Sequence, residues 1–295
     1  MIARHLPALP QNLVDAAIRD ALDEDLGLAG DITTNATVSA NATANAVIAA
    51  RKPGIVAGLA LAEAAFRAVG PETDFTIETG DGEAVKPGAV IARISGNARA
   101  LLTAERVALN FLGRLSGIAT LTRQYVDRVA GTHAKIVDTR KTTPGLRAFE
   151  KYAVRCGGGF NHRVGLFDAV LIKDNHIVAA GGVASAIRAA KSAAGHMTKI
   201  EVEVDTLAQL EVVMRENVDC VLLDNMTPAD LAKAVAIVGG CCLTEASGGV
   251  NLETVKEVAQ TGVDLISVGA LTHSVSVLDL GLDFIARPKQ TAIEA

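Results

Sequence analysis

Apolar positions follow two periods along this chain. In the second half, short β-rich runs recur: KIVDTR (135–140), DAVLIKD (168–174), KIEVEVD (199–205), DCVLLDN (219–225), CLTEASG (242–248) and DLISVGA (264–270). Helical spacing fills the gaps between them. After EVEVD, Thr206 opens a capping box with Gln209, and Leu207, Leu210 and Met214 share one face. After LLDN, Thr227 is placed to cap a helix that has Pro228 at its first position, and Asn251 caps LETVKEVAQ. The last three strand ends lie ~22 residues apart, the length of one strand, one helix and two short loops, which predicts a parallel sheet. Runs that are apolar throughout are buried on both faces. Six such units point to a closed or nearly closed α/β barrel. A doubly wound open sheet is the alternative, and no GxGxxG follows the first strand to support it.

The first part reads differently. ATANAVIAARKPGIVAG and DFTIETGDGEAVKPGAVIARISG have the Gly/Pro punctuation of antiparallel strands joined by tight turns. Helical patterns flank them near 11–24, 58–69 and 98–128. Gly113 and Gly117 are expected to bend or break the last of these. We therefore expect a first domain over 1–115 and an α/β barrel over 116–274, with the tail 275–295 able to return to the first domain. At 295 residues the chain can bury a core for both.

Composition narrows the function. No apolar run reaches the ~18 residues of a membrane span, and the N-terminal stretch lacks a secretory apolar block. Cys156, Cys220, Cys241 and Cys242 form no CxxC pair and read as small core residues in a reducing, cytoplasmic setting. A net charge of −5 argues against nucleic acid as partner. Positive charge is instead local: residues 139–177 hold seven Lys and Arg beside five Gly. Three of them, Arg147, Lys151 and Arg155, recur every fourth residue on one helix and read as its exposed face.

Functional groups of α/β barrels gather at the C-terminal ends of the strands. Here those ends carry Thr139-Arg140-Lys141, Lys173-Asp174-Asn175, Glu203, Asp224, Ser247-Gly248-Gly249 and Gly269-Ala270. Lys141 and Lys173 are point charges suited to phosphate. Arg163 offers a planar fork for a carboxylate, and neighbouring His162 is either a donor to the same anion or an acid/base. SGGVN, just before a helix start, and VGALTHS, after the last strand, form the pair of loops where barrel enzymes often seat a phosphate. Glu203 and Asp224 among these cations suggest Mg²⁺ carried on a phosphate ligand, or stabilisation of a positive carbon centre.

The motifs TRKTTPGLR, KYAV with GGG, NHR and LIKDNH, then EVEVD, LLDNM, EASGGV and SVGALTHS, together with AERVALNFLGRLSGIAT, resemble the quinolinate phosphoribosyltransferase family over residues 10–285. The resemblance implies an N-terminal α/β sandwich plus an incomplete parallel α/β barrel, assembled as at least a homodimer. It implies a decarboxylating glycosyltransferase that joins quinolinate to 5-phosphoribosyl-1-pyrophosphate (PRPP), with Mg²⁺ and no organic cofactor. Thr139, Arg140, His162, Arg163 and Lys173 would surround quinolinate, and Arg106 would reach in from the partner subunit. Lys141 would lie between the substrates. Glu203 and Asp224 would face the ribose and its Mg²⁺. Ser247, Gly248, Gly249, Val268, Gly269 and Ala270 would hold the 5-phosphate. Two rivals remain: a relative of the same fold acting on another anion, and a non-catalytic anion sensor.

Overall fold

The computed structural model describes residues 6–285, and it divides into two compact units. One comprises residues up to Thr120 together with the chain from Ser276 onward; the other runs from Leu121 to Val275. No helix among the described residues is long and apolar enough to cross a membrane.

In the first unit the elements are α1 (Gln11–Leu26), α2 (Ile32–Thr37), β1 (Thr43–Ala50), β2 (Gly54–Ile55), α3 (Leu59–Val69), β3 (Asp74–Ile77), β4 (Ala84–Val85), β5 (Val90–Asn97) and the start of α4 (Ala98–Arg128). Val14, Ile18 and Leu22 of α1 recur every fourth residue and are buried, and α1 packs on the more apolar α3. β1 is central in an antiparallel sheet of β1, β5, β3 and a strand from the chain's end, Leu280–Phe284. That strand pairs Ala46 with Phe284 and Ala50 with Leu280. The tail thus returns to the first unit as expected, and the rest of it, 286–295, lies outside the described residues.

Helix α4 is unbroken through Gly113 and Gly117, contrary to expectation. These glycines serve close approach. A Cβ on Gly117 would lie 2.2 Å from the carbonyl oxygen of Ser276, and one on Gly113 would lie 3.1 Å from that of Leu278. The helical cost of glycine is thus exchanged for packing of the returning chain against bare helix backbone.

The second unit alternates strand and helix. Its elements are β6 (Lys135–Val137), α5 (Arg147–Cys156), β7 (Val170–Ile172), α6 (Asp174–Ala179), α7 (Val183–Ala193), β8 (Ile200–Val204), α8 (Leu207–Val213), β9 (Cys220–Asp224), α9 (Pro228–Val238), β10 (Leu243–Ser247), α10 (Val255–Gln260), β11 (Leu265–Ser267) and α11 (Ala270–His273), before the terminal strand, β12. The six strands lie parallel in the order β6-β11-β10-β9-β8-β7. Phe160 bridges Val137 in parallel on the far side of β6, so the curved sheet is an incomplete α/β barrel. The capping signals hold: Thr206 and Gln209 form the box of α8, and Thr227 accepts from the N–H of Asp230 ahead of α9. Asn251 differs from expectation: α10 starts only at Val255 with Thr254 at its N-cap position, and Asn251 instead closes the preceding turn by accepting from the N–H groups of Glu253 and Thr254.

Alternation along β8 decides what faces where. Val202 and Val204 are buried under the helices, so Glu201 and Glu203 project together to the opposite, interior face. Cys220, Leu222 and Asp224 of β9 and Glu245 and Ser247 of β10 share that face through the register Glu203↔Leu222, Leu222↔Glu245 and Asp224↔Ser247.

Candidate active site

A cavity of about 410 Å³ lies at the C-terminal ends of these strands. Nine of the anticipated site residues line it: Thr139, Arg140, Lys141, His162, Arg163, Lys173, Glu203, Asp224 and Ser247. Leu171, Leu222, Glu245 and Ser267 complete it. Residues 139–141 leave β6, Lys173 leaves β7, and Glu203, Asp224 and Ser247 end β8, β9 and β10, so the parallel sheet itself gathers them.

The two arginines are short of partners. Nη1 of Arg163 donates to the carbonyl of Ala169 at 3.1 Å. The Nε atoms of both Arg140 and Arg163 are buried without a hydrogen-bond partner. Burial, then the neighbouring Arg140, lowers the pKa of Arg163. Two mutually repelling guanidiniums with orphaned donors are an electrostatic deficit that an anion relieves. Across the cavity, Nζ of Lys173 donates to Glu203 at 2.6 Å, and Asn225 donates to Asp224 at 2.6 Å.

The loop carrying His162 and Arg163 is fixed from below. Asp138, fully buried after β6, accepts from Lys151 of α5, from Asn161 at 2.6 Å and from the backbone N–H of His162 at 2.8 Å. Burial raises the pKa of Asp138 and lowers that of Lys151, while each ion opposes the shift of the other. Lys151 corrects an expectation. It is buried rather than part of an exposed basic face, because the side chain spans the helix–strand gap to reach Asp138 and the carbonyl of His162. Arg147 is likewise engaged, with Thr142 and the carbonyl of Val164.

His162 has both ring nitrogens occupied. Nδ1 accepts the N–H of Arg163 at 2.8 Å, and Nε2 lies 2.8 Å from Glu201. A nitrogen that accepts an N–H carries no hydrogen, so the ring proton sits on Nε2 and points at Glu201. Burial disfavours the imidazolium and the bond to Glu201 favours it, with the balance upward. The Arg163 N–H nevertheless holds the neutral tautomer in this arrangement.

The glycine loops differ from one another. Gly248 and Gly249 have φ of +90° and +62°, and a Cβ on Gly248 would meet Asn225 at 2.1 Å. Only glycine fits that turn. Gly269 lies against the Lys141 side chain, and Thr272 donates to the Lys141 carbonyl at 2.7 Å. Val268 turns its side chain into the core, gives its N–H to Val137 and accepts the N–H of Leu271 at its carbonyl, so its polar groups are engaged within the fold, against the expectation that it holds the 5-phosphate. Arg106 belongs to α4 of the first unit, is exposed, and has Glu105 as a distant neighbour at 4.0 Å.

Glu201, Glu245 and Asp138 escaped the sequence reading, which places Lys151 on an exposed face. Alternation could have found the first two, since each lies two residues before an anticipated strand-end residue on the same face. The buried pair had no such signal.

Comparison with known proteins decides the family. The family model for the C-terminal domain of quinolinate phosphoribosyl transferase matches residues 118–283, and that for its N-terminal domain matches 31–116. The chain belongs to the quinolinate phosphoribosyltransferase family. It is 48% identical over 273 residues to the nicotinate-nucleotide pyrophosphorylase [carboxylating] of Mycobacterium leprae, covering 90% of this chain and 95% of that protein. It is 45% identical to the probable enzyme of that name from Bacillus subtilis, covering 88% and 89%. The family likeness extends to solved structures. NadC from Streptococcus pyogenes superposes with a TM-score of 0.90 at 39% identity, covering 95% of this chain and all of that one. The nicotinate-nucleotide pyrophosphorylase of Francisella tularensis gives 0.91 at 39%, covering 96% and 100%.

Proposed function

We propose that the protein transfers phosphoribose from PRPP to quinolinate with loss of CO2, giving nicotinate mononucleotide and pyrophosphate for NAD biosynthesis. The observation that carries this reading is the cavity in which Arg140 and Arg163 hold unpartnered Nε donors opposite the carboxylates of Glu203 and Asp224. An anion sensor has no use for those carboxylates. A relative acting on a single-charged anion has no use for so many cations.

Quinolinate is a flat pyridine with two adjacent carboxylates, and Arg140, Arg163 and Lys173 offset the cost of taking it from water. His162, its ring fixed by Glu201 and the Arg163 N–H, packs beside it and keeps the Arg163 backbone in place. Lys141 reaches between the substrates. Ser247, Gly248, Gly249, Gly269 and Ala270 cradle the 5-phosphate, mainly through backbone N–H groups. As pyrophosphate departs, positive charge builds on the anomeric carbon, and Glu203 and Asp224 stabilise it. The pyridine nitrogen attacks and becomes cationic, and the ring then accepts the electrons of the carboxylate that leaves as CO2.

The oxygen donors of Glu203 and Asp224 fit Mg²⁺, which favours hard oxygen ligands and arrives with polyphosphates. Their existing partners, Lys173 and Asn225, leave each carboxylate a contributor rather than a closed cage. When bound, the ion would neutralise the charge building on the leaving pyrophosphate. The reading includes a homodimer in which Arg106 enters the partner's site, and action in the cytoplasm, consistent with four free thiols.

The test is to mix protein, quinolinate, PRPP and Mg²⁺ and to follow CO2 and pyrophosphate. Equimolar release of both, dependent on quinolinate, is expected. No CO2 with the protein folded, or equal activity on a pyridine bearing one carboxylate, would refute the assignment.

A further inference from the structure

The interior of the second unit is entered from both ends. Opposite the candidate active site, a cavity of about 860 Å³ opens among the strand starts, with Val170, Ile200, Cys220, Leu243 and Leu265 along it. Exposed Lys199 and Cys241 also line it. His162, Arg163 and Glu245 line both cavities, so they form the partition between them.

Within that partition the acidic groups are unequal. Nε2 of His162, Oε2 of Glu201 and Oε1 of Glu245 lie within 4.8 Å of one another. Glu201 has a donor at each oxygen: the Cys220 thiol at 3.3 Å on Oε1 and His162 at 2.8 Å on Oε2. That is the environment of a carboxylate. Glu245 is 1% exposed, and its Oε1 has no hydrogen-bond partner. The Ser267 hydroxyl bonds to this carboxyl, but one unpartnered buried oxygen beside a second carboxylate outweighs that single bond, so Glu245 holds a proton. Burial, then the charge of Glu201, pushes its pKa up to about 8. The trio does not suit a metal ion, because Nε2 turns a hydrogen, not a lone pair, toward the carboxylates.

We propose that Glu245 is the acid that protonates the ring carbon vacated by the departing carboxylate, and that the cavity at the strand starts is the route by which its proton is restored. The inference rests on the decarboxylating reading above. In the step, the bond between ring carbon and carboxylate breaks and the carboxyl carbon leaves as CO2. The bonding pair stays on the ring carbon, beside the cationic nitrogen. That pair takes the proton of Glu245 and forms the new C–H bond. Glu245 is left as a carboxylate and regains a proton from solvent through the second cavity. One solvent proton is consumed per turnover, replacing the CO2 lost. The proton source therefore lies on the floor of the site, away from the rim where PRPP enters.

The experiment compares two rates in single turnover, after the wild type has been shown to release both pyrophosphate and CO2, which secures the underlying reading separately. With Glu245→Gln, pyrophosphate release is expected to stay within about threefold of wild type, while nicotinate mononucleotide formation falls by ~10²–10⁴-fold, the usual contribution of a positioned acid. Glu245→Asp should recover part of the second rate. Equal loss of both rates in a folded Glu245→Gln protein, or no loss of either, overturns the proposal. If Glu245→Gln does not fold, the decision passes to wild type and Glu245→Asp run in equal H2O and D2O. A protium-to-deuterium ratio at the new C–H bond that changes with the side chain supports transfer by residue 245, and an unchanged ratio overturns it.

Discussion

Lys151 and Arg163 lie twelve residues apart in the same cation-rich stretch, and the structure treats them oppositely. Lys151 is buried with its charge answered by Asp138 and the carbonyl of His162. Arg163 faces a cavity beside a second arginine, with its Nε unanswered. The two lessons are complementary. A cation whose donors are all matched inside the fold supports the fold. A cation left short of acceptors, at a cost in local stability, is arranged for something that arrives later. Asp138 links them, because the same carboxylate that neutralises Lys151 accepts the N–H of His162 and so places Arg163.

The comparison is broken most severely at its paired member. Lys151→Ala strands Asp138 in a dry site, and losing one partner of a buried ion pair costs about 3–5 kcal/mol. Chemical denaturation should show that loss with quinolinate absent. Asp138→Asn together with Lys151→Met removes both charges and should recover much of it. Unchanged stability in Lys151→Ala would mean that the pair is not the support the geometry describes.

The unpaired member should behave the other way. Arg163→Ala or Arg140→Ala is expected to weaken quinolinate binding by about 2–4 kcal/mol, since a charged acceptor loses its matched donor. PRPP binding should change far less, and folding stability should hold or rise as the arginine–arginine repulsion is relieved. Calorimetric titration with each ligand measures the split. Equal losses for both ligands would remove the assignment of these side chains to the diacid.

These outcomes also mark how far the sequence could be read. The six strands, their caps and the strand-end residues were legible, because period-2 and period-3.6 patterns and βα loops are local signals. Lys151 was not. Helical spacing every fourth residue describes a face but not what stands opposite it, and Asp138 belongs to a different element. Gly113 and Gly117 failed for the same reason: their need for a missing Cβ comes from Ser276 and Leu278, far along the chain. Glu245 was half legible. Alternation puts it on the interior face with Ser247, but the absence of a partner shows only once Glu201 and His162 close around it.

Glu245 sharpens the comparison through pH, with an effect of at most about 1.4 kcal/mol at each pH step, because it is a buried group answered by a proton rather than by a partner or a ligand. Burial and Glu201 raise its pKa to about 8, above the ordinary carboxylate value of 4.5. The sign follows from proton counting. Between those two values the folded chain keeps a proton that the unfolded chain has released. Stability contributed by that proton is complete below the unfolded value and is lost as pH rises toward the folded one, by up to about 1.4 kcal/mol per pH unit. Glu245→Gln has no proton to lose at this position, so its stability relative to wild type should improve steadily from pH 5 to 8 and level off above. Urea denaturation of both proteins across that range measures the difference. A constant gap would mean that Glu245 is ionised in the fold, and that a donor, rather than a proton, satisfies its buried oxygen.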